Sequence, residues 1–118
     1  MKLLISQIEF EQLIGLQEPE NGTTLPPVTI VYFTAGWCSA CRRLNLDAIE
    51  SATAGATWLK CDVDVNNYTA GYCGIRSIPT FLAVVNKKIL GTMSSSKNED
   101  VINWVNTFTT KEKDTVTK

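Results

Sequence analysis

Apolar and polar positions follow two different periods along this 118-residue chain, and the switches between them mark out the elements. Val28-Thr29-Ile30-Val31-Tyr32-Phe33-Thr34 is apolar, aromatic or β-branched throughout. Such a run reads as a strand buried on both faces. Upstream, Leu3-Leu4-Ile5 makes at most a short edge strand. Ser6-Gln7-Ile8-Glu9 then forms a capping box, a hydroxyl answered three residues later by a carboxylate. It predicts a helix whose apolar face is Ile8, Phe10, Leu13, Ile14 and Leu16. The stretch 17–27, with Pro19, Asn21-Gly22 and Pro26-Pro27, reads as a loop.

Beyond the central strand, Ala35-Gly36 breaks the pattern and a single helix is predicted from Ser39 to a stop at Gly55. Cys41, Leu44 and Ala48 share one of its faces at i, i+3 and i+7. Thr57–Asp64 reads as another strand, and Asn66–Cys73 as a short helix limited by Gly71 and Gly74. Pro79 opens a strand over Thr80–Val85, and Asn86-Lys87 turns it back into Lys88-Ile89-Leu90. Ser96-Lys97-Asn98-Glu99 repeats the capping pattern before a last helix that buries Val101, Trp104, Val105 and Phe108. Trp58 and Trp104 read as core or rim packing. The order βαβαβαββα predicts an α/β fold with a mixed sheet and helices on both faces. The domain is expected over 1–110, with a polar, disordered tail at 111–118.

Composition narrows the function classes. The chain is long enough for one core. Its 11 basic and 12 acidic residues leave a net charge of −1, which suits neither nucleic acid nor an anionic membrane. No apolar run approaches a membrane span. Glu9 and Glu11 interrupt the short apolar start and no small-residue cleavage site follows, so a cytoplasmic protein is expected. The absence of histidine excludes Cys–His nucleophilic catalysis and every His-containing metal site. Of the four cysteines, Cys61 and Cys73 lack the close spacing of structural zinc ligands, and no metal is expected. Cys61 reads as a small core hydrophobe. Cys73 reads as a half-exposed thiol, with a regulatory or dimer-forming role as the lesser alternative.

The chemistry concentrates in Trp37-Cys38-Ser39-Ala40-Cys41. A cysteine at a helix mouth meets unsatisfied N–H groups and the positive end of the helix dipole, which lower its pKa and favour the nucleophilic thiolate. A thiol three positions on shares its face and can resolve a mixed disulfide. Cys41 points to the core and Cys38 to solvent, so Cys38 attacks and Cys41 resolves.

Trp37-Cys38-x-x-Cys41, together with Gly74-Ile75-Arg76-Ser77-Ile78-Pro79-Thr80 and the Gly91-Thr92 that follows the hairpin, resembles the thioredoxin family over roughly Leu3 to Phe108. The resemblance implies a thioredoxin fold and a protein disulfide reductase that needs no cofactor beyond a Cys38–Cys41 disulfide. It also implies protein disulfide substrates, re-reduction by a thioredoxin reductase-type donor, and a monomer. An extended substrate segment would cross Trp37, Ile78-Pro79 and Gly91-Thr92, with a cis bond before Pro79. Three departures stand out. Ser39-Ala40 replaces the usual Gly-Pro between the cysteines, freeing a backbone N–H and altering the redox potential. Tyr32 occupies the place of a buried aspartate, while Lys60 matches the family's buried lysine and is expected to take over part of the proton transfer. Arg42-Arg43 follows Cys41, as a thiolate-favouring charge or acidic-partner surface, or as a solvated helix face. An oxidase- or isomerase-like protein, or a non-enzymatic binding subunit, are the alternative readings.

Overall fold

The computed structural model describes residues 1–19 and 24–117, with side chains as far as 109. The elements are β1 (Lys2–Leu3), α1 (Gln7–Leu13), β2 (Val28–Thr34), α2 (Leu46–Ala52), β3 (Thr57–Asp62), α3 (Asn67–Tyr72), β4 (Thr80–Val85), β5 (Lys88–Ser94) and α4 (Asn98–Thr117). The predicted βαβαβαββα order is the observed one. The strands form one sheet ordered β1-β3-β2-β4-β5. β3 runs parallel to both β1 and β2, whereas β4 is antiparallel to β2 and to β5. The central part of the predicted loop, 20–23, lies outside the described residues.

Strand alternation builds two cores. Every residue of β2 is buried. Val28, Ile30 and Tyr32 point to one face, where Trp58, Phe81 and Ala83 join Ile49 of α2 and Val101 and Val105 of α4. Val31 and Phe33 point to the other, with Cys61, Leu82 and Val84 against Phe10 and Leu13 of α1 and Ala70 of α3. The cysteine pair belongs to the first face.

Local expectations fared unevenly. Ser6 caps α1 as predicted, its Oγ accepting the Glu9 N–H at 3.1 Å. That helix has only seven residues, so its inward stripe is Phe10 and Leu13. Ile8 and Leu16, expected inside, are 58% and 56% exposed. At α4 the hydroxyl that accepts a local backbone N–H is Ser95, bonded to Lys97, and not Ser96. The α4 backbone is helical to Thr117, past Phe108, the last inward apolar residue among the described side chains. The expectation of a disordered tail falls on 111–118, whose side chains lie outside the described residues.

The largest departure lies beside the cysteines. The single helix expected from Ser39 to Gly55 is two pieces, a 3₁₀ turn at Cys41–Arg43 and α2. Leu44 between them is extended, at φ −83° and ψ 137°. Asn45 explains the break, because its side chain accepts the Ala48 N–H at 3.1 Å and starts a new helix. Its own N–H donates to Asn98 Oδ1 at 2.9 Å, which fixes the break to the start of α4.

Candidate active site

β2 ends at Thr34, and the Cys38 N–H bonds back to the Ala35 carbonyl at 3.1 Å. This turn delivers Cys38 to the end of the central strand. Cys38 and Cys41 are joined by a disulfide, their Cα atoms 5.4 Å apart, within the ordinary range for such a bridge. The Cys41 N–H donates to Cys38 Sγ at 3.1 Å. The anion-favouring feature is therefore a local N–H in a 3₁₀ turn, not the dipole of a long helix. Burial does not separate the two residues as expected either. Cys38 is 4% and Cys41 7% exposed, because Cys38 is tucked against the next loop, 3.8 Å from the Ile78 carbonyl.

That loop carries the cis Ile78–Pro79 peptide bond, immediately before β4. Ile78 is half-buried and Pro79 buried. Beside it a groove of about 410 Å³ is lined by Trp37, Val63, Ala70, Ile75, Arg76, Ser77 and Ile78. Trp37 is 66% exposed, and its indole N–H donates to Asp64 Oδ2 at 2.9 Å. That bond ties the ring to the loop after β3 and holds it as a platform at the rim.

A second open space, of about 330 Å³, brings Cys38 and Cys41 together with Tyr32, Thr34, Arg42 and Lys60. Tyr32 and Lys60 are register partners across β2 and β3, so strand pairing places both on the cysteines' face. Tyr32 is 2% exposed and stacks on Phe81 at 5.1 Å. Burial pushes its phenol above the ordinary value of 10, against a smaller opposing effect of the Thr34 hydroxyl. It stays protonated at neutral pH, able to donate but not to act as a base. No carboxylate lines this cavity among the described residues.

Gly91 and Thr92 do not join the site. β5 is seven residues long, and its register sets Gly91 against Ala83 and Thr92 against Leu82. The residue opposite Thr80, next to Pro79, is Ser94. Its hydroxyl lies 2.7 Å from that of Thr80, which donates to the Ser77 carbonyl at 2.6 Å. The sequence reading missed Ser94 and Asp64; only knowledge of the hairpin's length and of the β3–α3 loop could have found them.

Cys61 and Cys73 are free thiols in the opposite core. Burial, with smaller contributions from Cys73 and Asp62, raises the Cys61 pKa to about 12. Burial alone raises Cys73 to about 11. Among the described residues, no three His, Cys, Asp or Glu side chains gather as a metal site.

A mixed sheet covered by helices on both faces, with a Cys-x-x-Cys disulfide where its central strand ends, defines the thiol–disulfide oxidoreductase class. The sequence model of the Thioredoxin family matches residues 22–107. The chain belongs to the thioredoxin family. It is 36% identical to thioredoxin 2 of Chlorobaculum tepidum over 78 residues, 64% of this chain and 72% of that one. It is 28% identical to an H-type thioredoxin of Ricinus communis over 87 residues, covering 72% and 74% of the two chains. The structure of Plasmodium falciparum thioredoxin superimposes with a TM-score of 0.75 at 23% identity, over 92% of this chain and 99% of that one. The last likeness concerns the fold. Family membership and the disulfide-forming pair together support thiol–disulfide oxidoreductase activity.

Proposed function

We propose that the protein is a cytoplasmic reductase of protein disulfides, acting as a monomer and re-reduced by a thioredoxin reductase-type donor. The observation that carries this reading is the Cys38–Cys41 disulfide set against the Ile78 carbonyl beside an open groove. The free Cys61 and Cys73 thiols suit a reducing compartment.

In the reduced protein the Cys38 thiolate attacks one sulfur of the substrate disulfide. A mixed disulfide forms and the first substrate thiolate leaves. The Cys41 thiolate then attacks Cys38 Sγ, expels the second substrate thiolate and closes the Cys38–Cys41 disulfide. Two electrons pass from protein to substrate. The Cys41 N–H at 3.1 Å from Cys38 Sγ can stabilise the attacking thiolate. Lys60 and Arg42, facing the same cavity, put positive charge where thiolates must form. Tyr32 can supply a hydrogen bond there but no base.

Reduction of insulin disulfides with dithiothreitol as donor tests the reading. Cys38→Ser is expected to abolish catalysis, whereas Cys41→Ser is expected to accumulate a mixed disulfide with the substrate. Retention of the full rate by Cys38→Ser would defeat the proposal. The equilibrium constant of the Cys38–Cys41 couple with glutathione separates a reductase from an oxidase or isomerase.

A further inference from the structure

The basic residues of this chain are unevenly divided. It contains three arginines, Arg42, Arg43 and Arg76, and all three lie next to the cysteine pair or its groove. Arg42 lines the cavity with Cys38 and Cys41 and donates to the Gly36 carbonyl at 2.8 Å. Arg43 follows it in the exposed end of the 3₁₀ turn. Arg76 is exposed on the opposite side and lines the groove with Trp37 and Ile78. Among the described residues, Lys60 is the one lysine that lines either space, and it is half-buried.

None of the three guanidinium groups is in an ion pair among the described residues. The two carboxylates at the end of β3 and in the loop after it bond locally and pair with none of these arginines among the described residues. Asp64 Oδ2 accepts the Trp37 indole N–H, and Asp62 Oδ1 accepts the Asp64 N–H at 2.9 Å. Nor is this rim the consequence of a basic protein, since the chain carries a net charge of −1. Arginine is the side chain whose planar fork matches a carboxylate with two parallel hydrogen bonds.

Building on the reductase reading above, we infer that the groove selects protein disulfides whose cysteine is flanked on both sides by acidic residues. An extended segment crossing Trp37 and Ile78 would have one end near Arg76 and the other near Arg42 and Arg43. Carboxylates at those ends would meet guanidinium groups that form no ion pair among the described residues, while the apolar groove takes the side chains between them. The electron balance is that of the reaction above; charge on the substrate alters its capture and positioning, not the chemistry.

The test uses the full chain, reduced and freed of reductant, in single-turnover reactions with three peptide disulfides. The peptides are identical except for aspartate, serine or lysine on either side of the cysteine. Each rate is divided by the rate of the same peptide with 2-mercaptoethanol, which removes the effect of charge on the disulfide's own reactivity. At low salt the aspartate peptide is expected to react about tenfold faster than the lysine peptide, and the ratio is expected to shrink in 0.5 M NaCl. Arg43→Gln/Arg76→Gln is expected to lower the ratio to about twofold, and Arg43→Glu/Arg76→Glu to reverse it. Equal normalised rates for the native protein would overturn the inference, as would a preference unaltered in both variants. Failure of the native protein to reduce any of the three peptides would remove the reductase reading itself, and the substrate preference with it.

Discussion

The chain holds two pairs of cysteines on opposite faces of one sheet, and the difference between them shows what makes a thiol reactive. Cys38 and Cys41 lie past the end of β2, bonded to each other, with a backbone N–H aimed at one sulfur and Arg42 and Lys60 facing the same cavity. Cys61 and Cys73 pack into a cluster of Leu4, Phe10, Val31, Phe33 and Leu82. No guanidinium or ammonium figures among the causes that shift them, and burial drives their pKa values to about 12 and about 11. Low exposure alone does not distinguish the pairs, because Cys38 is as hidden as a core residue. The polar groups within reach of the sulfur do.

Alkylation should expose this contrast most strongly. At pH 7 a thiol of pKa near 11 is thiolate in about one molecule in 10⁴, whereas a free cysteine near 8.5 is thiolate in a few per cent. In the reduced protein, iodoacetamide should modify Cys38 first and Cys73 more than about a hundredfold more slowly than a free cysteine. Cys61, fully buried, should be slower still. Time-resolved peptide mapping measures all three. Labelling of Cys73 within about tenfold of Cys38 would mean that the two faces are not chemically distinct.

The second pair also carries a cost at alkaline pH. A thiol whose folded pKa lies above its unfolded value keeps its proton in the folded state while the unfolded chain releases one. Both states are protonated below about pH 8.5, so nothing is lost there. Between that point and pH 11–12 stability should fall by up to about 1.4 kcal/mol per pH unit for each thiol. Tyr32, also raised, acts in the same direction only above pH 10. Urea unfolding from pH 8 to 10 should therefore show a stability loss of about 2 kcal/mol or more that flattens in Cys61→Ala/Cys73→Ala. The comparison uses slopes, since the cavity left by alanine lowers stability at every pH.

Much of this architecture was legible because it is local. An unbroken apolar run marked β2, Asn86-Lys87 marked the hairpin turn, and the spacing of Cys38 and Cys41 marked the site. What was hidden depends on choices made further along the chain. Leu44 looks like an interior helical residue until Asn45 caps the next helix instead of continuing the first. Gly91 follows the hairpin at a plausible interval, yet the register of β5 sets it against Ala83 and leaves Ser94 opposite Thr80. Ile8 and Leu16 match a helical stripe that a seven-residue helix is too short to bury. Tyr32 and Lys60, which are distant in the chain, are brought together by the parallel register of β2 and β3.

That pairing gives the subtlest way to sharpen the contrast between the cysteine pairs. The polar side chains that share a cavity with Cys41 are Tyr32 and Thr34 from β2, Lys60 from β3 and Arg42 from the 3₁₀ turn, with no carboxylate among the described residues there. A protonated phenol can stabilise a thiolate only by donating a hydrogen bond, so the formal charge available comes from Lys60 and Arg42. Arg42 is exposed and already bonded to Gly36, which leaves Lys60 as the half-buried cation on the sheet side. Replacing it by methionine keeps the stem's volume and removes the charge. Thiolate formation should then require a higher pH. For Lys60→Met the insulin-reduction rate should fall about fivefold at pH 7 and approach the native rate by pH 9. A uniform loss at every pH would indicate altered packing, and an unchanged profile from pH 6 to 9 would remove Lys60 from the chemistry. Lys60→Arg, which restores the charge at the same strand position, should recover most of the rate at pH 7. If it did not, the head group's shape rather than its charge would be what the cavity requires.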